Sequence, residues 1–206
     1  MTTGSDVVSF ARQSWAGLRV LLVLTVLLGL AYPLAVTGVS QLLFRWQANG
    51  SLVDASGQRV TSADDAAGSL LVGQSFDGPQ WFHPRPSAAG DGYDALASAG
   101  SNLGPLNPTL VATIEERRAA VASLEGVDPA DVPADAVTAS ASGLDPDISP
   151  AYAHLQAARV ARENGVPVAS VEALVEQLTV GRDLGFLGEP RVNVLRLNLG
   201  LQTMGS

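Results

Sequence analysis

The sequence predicts a single N-terminal transmembrane helix followed by a mixed α/β (α+β) soluble domain. Three observations carry that prediction. Leu18 to Phe44 is a 27-residue apolar run whose one charge, Arg19, sits at its edge. The charge balance then changes sign: residues 1–45 hold three Arg and one Asp, net +2, while residues 46–206 hold nine Arg against nineteen acids, net −10. Downstream of the run, helical periodicities alternate with short β-like stretches and with turns rich in Gly and Pro, as in a domain that layers helices on small sheets.

Residues 1–17 read as a cytoplasmic tail and residues 18–44 as the membrane helix. At about 1.5 Å per residue the helix covers roughly 40 Å, enough to cross a hydrocarbon core about 30 Å thick. Eleven Leu or Val residues lie between Val20 and Val36, and together they contribute about −3 to −7 kcal/mol towards insertion. The run outlasts the roughly 7–15-residue apolar region of a cleaved signal, and Val36-Thr37-Gly38 is a poor cleavage site. It therefore reads as a retained anchor. Pro33 removes a backbone donor and predicts a kink near Gly29. Gly29, Pro33, Ala35 and Gly38, with Ala31, mark where a neighbouring helix can pack closely. Arg12 and Arg19 precede the apolar core of the run and Arg45 follows it, which places the N-terminus inside by the positive-inside rule. Trp15 and Trp46 flank it as interfacial aromatics do.

Residues 45–206 form the extracytoplasmic soluble domain, of ordinary single-domain size. Residues 47–68 carry turn signals at Asn49-Gly50 and Ser56-Gly57 and read as a loop or short hairpin. Ser69 to Phe76 reads as a short strand, and Trp81 to Pro86, with two prolines, as an extended segment. Trp81 and Phe82 are expected in the core, and His83 as a hydrogen-bonded structural residue. Gly90 to Asp94 and Ser98 to Pro108 are dense in small residues and turn tightly. Asn107-Pro108 opens a helix as N-cap and first residue, with Leu110, Ile114, Val121 and Leu124 at helical spacing. The charges Glu115 to Arg118 read as its solvated face. Glu125 to Asp135 reads as a loop and Ala136 to Ser140 as a short strand. Ser149-Pro150 opens a second helix, over about 150–164, that Asn164-Gly165 ends. A third helix starts near Ser170, with Val171, Leu174, Val175 and Leu178 on one face. Arg191 to Leu199 reads as the best strand, with a change of parity between Val194 and Leu195 that suggests a bulge.

Composition excludes several chemistries. The chain has no Lys, so neither a P-loop lysine nor a Schiff-base lysine is available. It has no Cys, which excludes thiol catalysis, disulfides and Cys-based zinc sites. His83 and His154 lie in unrelated contexts, so no metal site is expected. The acidic domain argues against nucleic acid as a partner.

Six segments resemble one family, in order and with similar spacing. They are Gly68 to Phe76, Trp81 to Ser87, Gly100 to Pro108, Val137 to Pro146, Ile148-Ser149-Pro150 and Gly188 to Leu199. With the membrane helix, they resemble the C subunit of the Kdp potassium-transporting P-type ATPase over about Leu18 to Leu201. The resemblance implies a non-catalytic accessory subunit of a high-affinity ATP-driven potassium importer in a bacterial cell membrane. It implies three kinds of partner besides the lipid bilayer: a channel-like ion-selecting subunit, an ATP-hydrolysing P-type subunit and a small membrane subunit. It also implies ATP as a cofactor, with this subunit acting as a catalytic chaperone that raises the pump subunit's affinity for it. The nucleotide-linked residues it points to are Ser98, Gly100, Ser101 and Asn102. There Ala99 stands where the family often has Gly, within a Ser-Gly-Gly-Ser pattern similar to the signature loop of ABC transporters. That departure weakens a direct nucleotide contact. Asp147 occupies a place where His is common. With the domain outside, where ATP is scarce, an effect on ATP affinity has to travel as a coupling free energy.

A reading from another class is a membrane-anchored extracytoplasmic hydrolase using Ser140 or Ser142, His154 and Asp145, although no Gly-x-Ser-x-Gly elbow occurs. A third is an anchored binding module without a recognisable ligand site.

Overall fold

The computed structural model describes residues 3–204. It opens with α1 (Thr3–Val26), a π-helical turn (Leu27–Ala31) and α2 (Tyr32–Leu43). From Asp6 to Leu43 this is a continuous apolar helix of 38 residues, none of it buried within the chain and long enough to cross a membrane. The π turn falls where the sequence predicts a kink. The Tyr32 N–H bonds the Leu27 carbonyl, one residue beyond the α-helical partner. A proline ring at Pro33 clashes with the Gly29 carbonyl in an ordinary α-helix. One wide turn relieves that clash and keeps neighbouring backbone groups bonded, which lipid demands. Phe44 leaves the helical region at φ −133°, and α3 (Arg45–Ala48) follows. The Arg19 guanidinium lies over the Trp15 ring at 5.1 Å.

The chain divides into two compact units after Asn49. In the second unit, β1 (Leu52–Val53) and β2 (Gly68–Ser69) pair antiparallel, with Leu52 opposite Ser69. β2 ends at Ser69 rather than running to Phe76. The Ser69 hydroxyl accepts from Leu71 N–H at 3.1 Å and donates to the Gly50 carbonyl at 2.7 Å, which starts a turn. Residues 70–107 hold no regular element.

α4 (Pro108–Glu125) has the predicted cap, Asn107 Oδ1 accepting from Thr109 N–H at 2.9 Å, and ends at Gly126 with φ +70°. A 3₁₀ turn (Pro129–Asp131) and α5 (Ala134–Val137) follow. The expected strand at Ala136–Ser140 is therefore a helical turn and an extended tail. Pro133 ahead of Ala134 starts the turn, and the Asp135 carboxylate locks it by accepting from Ser149 N–H and Oγ at 2.7 and 2.9 Å. β3 (Asp147–Ile148) leads into α6 (Pro150–Asn164), capped by Ser149 and ended by Gly165, as the sequence predicts.

α7 (Val168–Leu178) buries Val171, Leu174 and Val175, the predicted face. β4 (Thr179–Val180) and β5 (Arg191–Asn193) complete a three-stranded antiparallel sheet with β5 in the middle. The expected strand over Arg191–Leu199 stops at Asn193, and α8 (Val194–Met204) takes the rest. Val194, Leu197, Asn198 and Leu201 are buried at helical spacing. The polar Asn198 fills the third position of that stripe and hides it among alternating aliphatics. The core gathers Phe82, Val137, Ile148, Val192 and the inner faces of α6, α7 and α8.

Candidate functional site

Ser98, Gly100, Ser101 and Asn102 belong to a surface loop braced against residues 140–145. The Ser98 hydroxyl donates to the Ser142 carbonyl at 2.9 Å. A Cβ at Gly100 would stand 2.8 Å from the Ala141 carbonyl oxygen. Gly143, with φ +68°, would place a Cβ 2.7 Å from Ala89 and from the Ala99 oxygen. These glycines let backbones touch, so their local role is packing. Ser101 and Asn102 are exposed, and Asn102 has φ +53°. The loop does not open a helix, since α4 begins only at Pro108. It therefore does not present a helix N-terminus of the kind that binds phosphate.

The neighbouring segment is held as firmly. The Ser87 hydroxyl donates to the Gly143 carbonyl at 2.7 Å and accepts from Ala89 and Tyr93 N–H. The Tyr93 hydroxyl donates to the Arg85 carbonyl, and burial pushes its pKa up to about 12. Arg85 pairs with Asp145 at 2.9 Å. Asp145, Asp147, Asp135, Arg85, Arg191 and Glu189 line a cleft of about 530 Å³. Burial raises the Asp147 carboxyl pKa, against a hydrogen bond from Asn193 and the charge of Arg191. Among the described residues, no cluster of three or more His, Cys, Asp or Glu is placed to hold a metal.

A buried polar network lies beneath the strap at Gly78–Ser87. Its helix residues Gln156 and Arg159 come from the buried face of α6. Arg159 and Glu125 pair at 3.0 Å with side chains about 1% exposed. Arg159 also donates to the carbonyls of Pro79 and Trp81 and to Gln156 Oε1. Gln156 accepts from His83 N–H at 2.7 Å and donates to the His83 carbonyl at 3.1 Å. Asn198 brackets Phe82 in the same way, at 2.8 and 3.0 Å. Asn164 donates to the Gln80 carbonyl at 2.8 Å. Side-chain amides here take the place of a neighbouring strand. Burial raises the Glu125 pKa, opposed by the charge and hydrogen bonds of Arg159. Burial lowers the His83 pKa, opposed by its 2.9 Å contact with the Gly78 carbonyl. An arginine on the inward face of α6, three residues after a glutamine, was the available signal.

The hydrolase reading fails on geometry. His154 is exposed on α6 and pairs with Glu176 at 3.3 Å. Asp145 is engaged by Arg85, and the Ser140 hydroxyl meets Ser142 Oγ at 3.2 Å. Among the described residues, no hydrogen bond joins serine, histidine and aspartate into a triad. Along the stem, Gly29, Pro33, Ala35 and Gly38 are all exposed, and a Cβ at Gly38 would meet nothing within 4 Å. Ala31, Ala35 and Gly38 recur at i, i+4 and i+7 and so share a face.

Residues 14–203 match the family model KdpC: K+-transporting ATPase, c chain. The chain belongs to the KdpC family. It is similar to the potassium-transporting ATPase KdpC subunit of Beijerinckia indica, 55% identical over 88% of each chain. The subunit of the same name in Kineococcus radiotolerans is 55% identical over 93% of this chain and 94% of that one. The one in Caulobacter vibrioides is 59% identical over 86% of each. A match from residue 14 to 203 takes in both the apolar helix and the folded domain, so stem and domain together are the KdpC unit.

Proposed function

We propose that the chain is a non-catalytic accessory subunit of a potassium-transporting ATPase in a bacterial cell membrane. In this reading residues 18–44 cross the bilayer once, residues 1–17 stay in the cytoplasm, and residues 45–206 lie outside. The observation that carries the reading is identity of 53–59% to potassium-transporting ATPase KdpC subunits over most of the chain. The stem supports it physically. Its apolar stretch is not buried within the chain, and the face with Ala31, Ala35 and Gly38 suits close packing on a partner helix. We assign Gly29, Pro33, Ala35 and Gly38 to contact with the ion-selecting subunit or the small membrane subunit.

The domain raises the ATP affinity of the ATP-hydrolysing subunit through assembly rather than by holding nucleotide. Ser98, Gly100, Ser101 and Asn102 contribute by fixing their loop to residues 140–143. Their glycine packs backbone on backbone, and the loop offers no cationic or helix-terminal cradle. The influence on ATP is then a coupling free energy between subunits. The test is expression of a chain lacking residues 50–206 with the other subunits. Loss of the assembled complex and of potassium-dependent ATP hydrolysis is expected, and full retention of both would overturn the reading. Saturable ATP binding by the full-length chain alone would instead restore a direct nucleotide role to the Ser98–Asn102 loop.

A further inference from the structure

The π-helical turn of the stem leaves polar groups at the depth where they are most costly. The Tyr32 N–H bonds the Leu27 carbonyl, so the Leu28 carbonyl loses the donor that an α-helix would give it. The next N–H along the chain would belong to Pro33, which has none. The backbone ladder thus skips Leu28, and Gly29 loses its own α-helical donor to the same proline. An acceptor without a donor is costly in hydrocarbon, and acyl chains supply no donor.

Tyr32 adds a hydroxyl at the same level. Fourteen positions separate it from Leu18 and twelve from Phe44, roughly 20 Å of helix on either side. Tyrosine ordinarily sits at the membrane interface, and its side chain is too short to snorkel that far. Tyr32 is 63% exposed, and its hydroxyl has no hydrogen-bond partner among the described residues. Helical side chains lean towards the N-terminus, so Tyr32 lies over the turn that holds Leu28 and Gly29. By the same rule Thr25 leans away from both carbonyls and leaves them unmet. The surface is open, since a Cβ at Gly29 would meet only Thr25 Cγ2, at 4.0 Å.

Whatever covers this surface has to donate a hydrogen bond and accept one. Lipid tails do neither, and a charged side chain at this depth is expensive. A carboxamide does both at once, its N–H meeting the Leu28 carbonyl and its oxygen accepting from the Tyr32 hydroxyl. We propose that the Leu28 carbonyl and the Tyr32 hydroxyl bind an Asn or Gln side chain on a transmembrane helix of another subunit of the transporter. The proposal rests on the subunit reading above and supplies the chemistry of the contact assigned there to the stem.

The test uses the full-length chain co-expressed with the other transporter subunits and purified through a tag on this chain. Tyr32→Phe removes the hydroxyl alone. Pro33→Ala lets the turn close as an α-helix, which returns the Tyr32 N–H to the Leu28 carbonyl. Each is expected to make the complex dissociate about three- to tenfold faster. The double variant is expected to be no faster than the worse single one, because both remove the same site. Replacing the Asn and Gln residues of the other subunits' membrane helices one at a time by Leu is expected to reproduce the loss at one position, with nothing added to Tyr32→Phe. A wild-type lifetime in Tyr32→Phe overturns the proposal. Additive losses in the double variant overturn it too, since hydroxyl and kink would then act separately, and so does the lack of any Asn or Gln position that reproduces the loss. Pairing of the chain with itself in lipid nanodiscs, seen by fluorescence energy transfer and abolished by Tyr32→Phe, would give the site to a second copy and overturn it as well. If the wild-type chain retains no transporter subunit, the subunit reading itself has failed and takes the proposal with it. Indifferent variants beside an intact wild-type complex remove this proposal alone.

Discussion

Between Pro150 and Leu178 two helices satisfy their own backbone groups. Between Gly78 and Ser87 the chain has neither helix nor strand, and Pro79 to His83 take partners from side chains 73 to 116 residues away. Both segments contribute to one core: Phe82 from the strap is as deeply buried as Val160 and Val175. A buried backbone must have its donors and acceptors met, whatever its shape. The helices meet this locally, so substitution at their surface is tolerated. Pro79 to His83 meet it at long range, through four side chains: Gln156, Arg159, Asn164 and Asn198. Buried polar networks of this kind specify one arrangement only when every member is satisfied.

The most severe way to break the contrast is Arg159→Ala. It leaves the Glu125 carboxyl and the carbonyls of Pro79 and Trp81 without their donor. A loss of about 3–5 kcal/mol is expected for a buried pair broken on one side, read by chemical denaturation. Restoration of part of it in Arg159→Met with Glu125→Leu would confirm that the orphaned charge is what destabilises. Asn198→Ala is expected to cost about 2–4 kcal/mol, because both polar groups of Phe82 go unpaired. A loss under about 0.5 kcal/mol would mean the strap is held by Phe82 packing alone.

A third prediction sharpens the comparison through pH. Burial depresses the His83 pKa below its ordinary 6.5. The native state then binds fewer protons than the unfolded one, and stability rises with pH in that range. The contribution is whole above 6.5 and is lost as pH falls through the depressed native value. Denaturation between pH 7 and pH 5 should show that decline, and His83→Gln should flatten it. The Asp147 carboxyl, raised by burial, works in the other direction, favouring the fold at low pH and losing that contribution as pH rises through its native value. The smallest effect belongs to the helical side of the contrast. Glu115→Gln removes an exposed i,i+3 pair with Arg118 on α4, and a change within about 0.5 kcal/mol is expected.

Legibility in the sequence follows the same division. α4, α6 and the apolar run of the stem are announced by local signals: Asn107-Pro108, Ser149-Pro150, Asn164-Gly165 and a long aliphatic run. Caps act within one turn, so they survive in any context. α8 misleads because Asn198 sits in its buried stripe, and only the strap across the core explains a polar residue there. The turn at Ala134–Val137 depends on Ser149 reaching Asp135, fourteen residues on. The turn at Leu184, between β4 and β5, offers no sequence cue at all: its φ is +54° and its side chain is exposed, and leucine is the wrong residue for a left-handed position.

By itself the amino-acid sequence determined that an apolar stem precedes an acidic domain, that neither thiol nor lysine chemistry is present, and which family the six ordered segments point to. Those follow from length, composition and neighbouring residues, which act over a few ångströms of chain. Only the tertiary structure decided which side chains replace a missing strand beside Phe82, why Gly100 and Gly143 must be glycine, and which apolar residues are left facing water. Each of these depends on groups far apart in the chain meeting in one place, and no local pattern encodes the meeting.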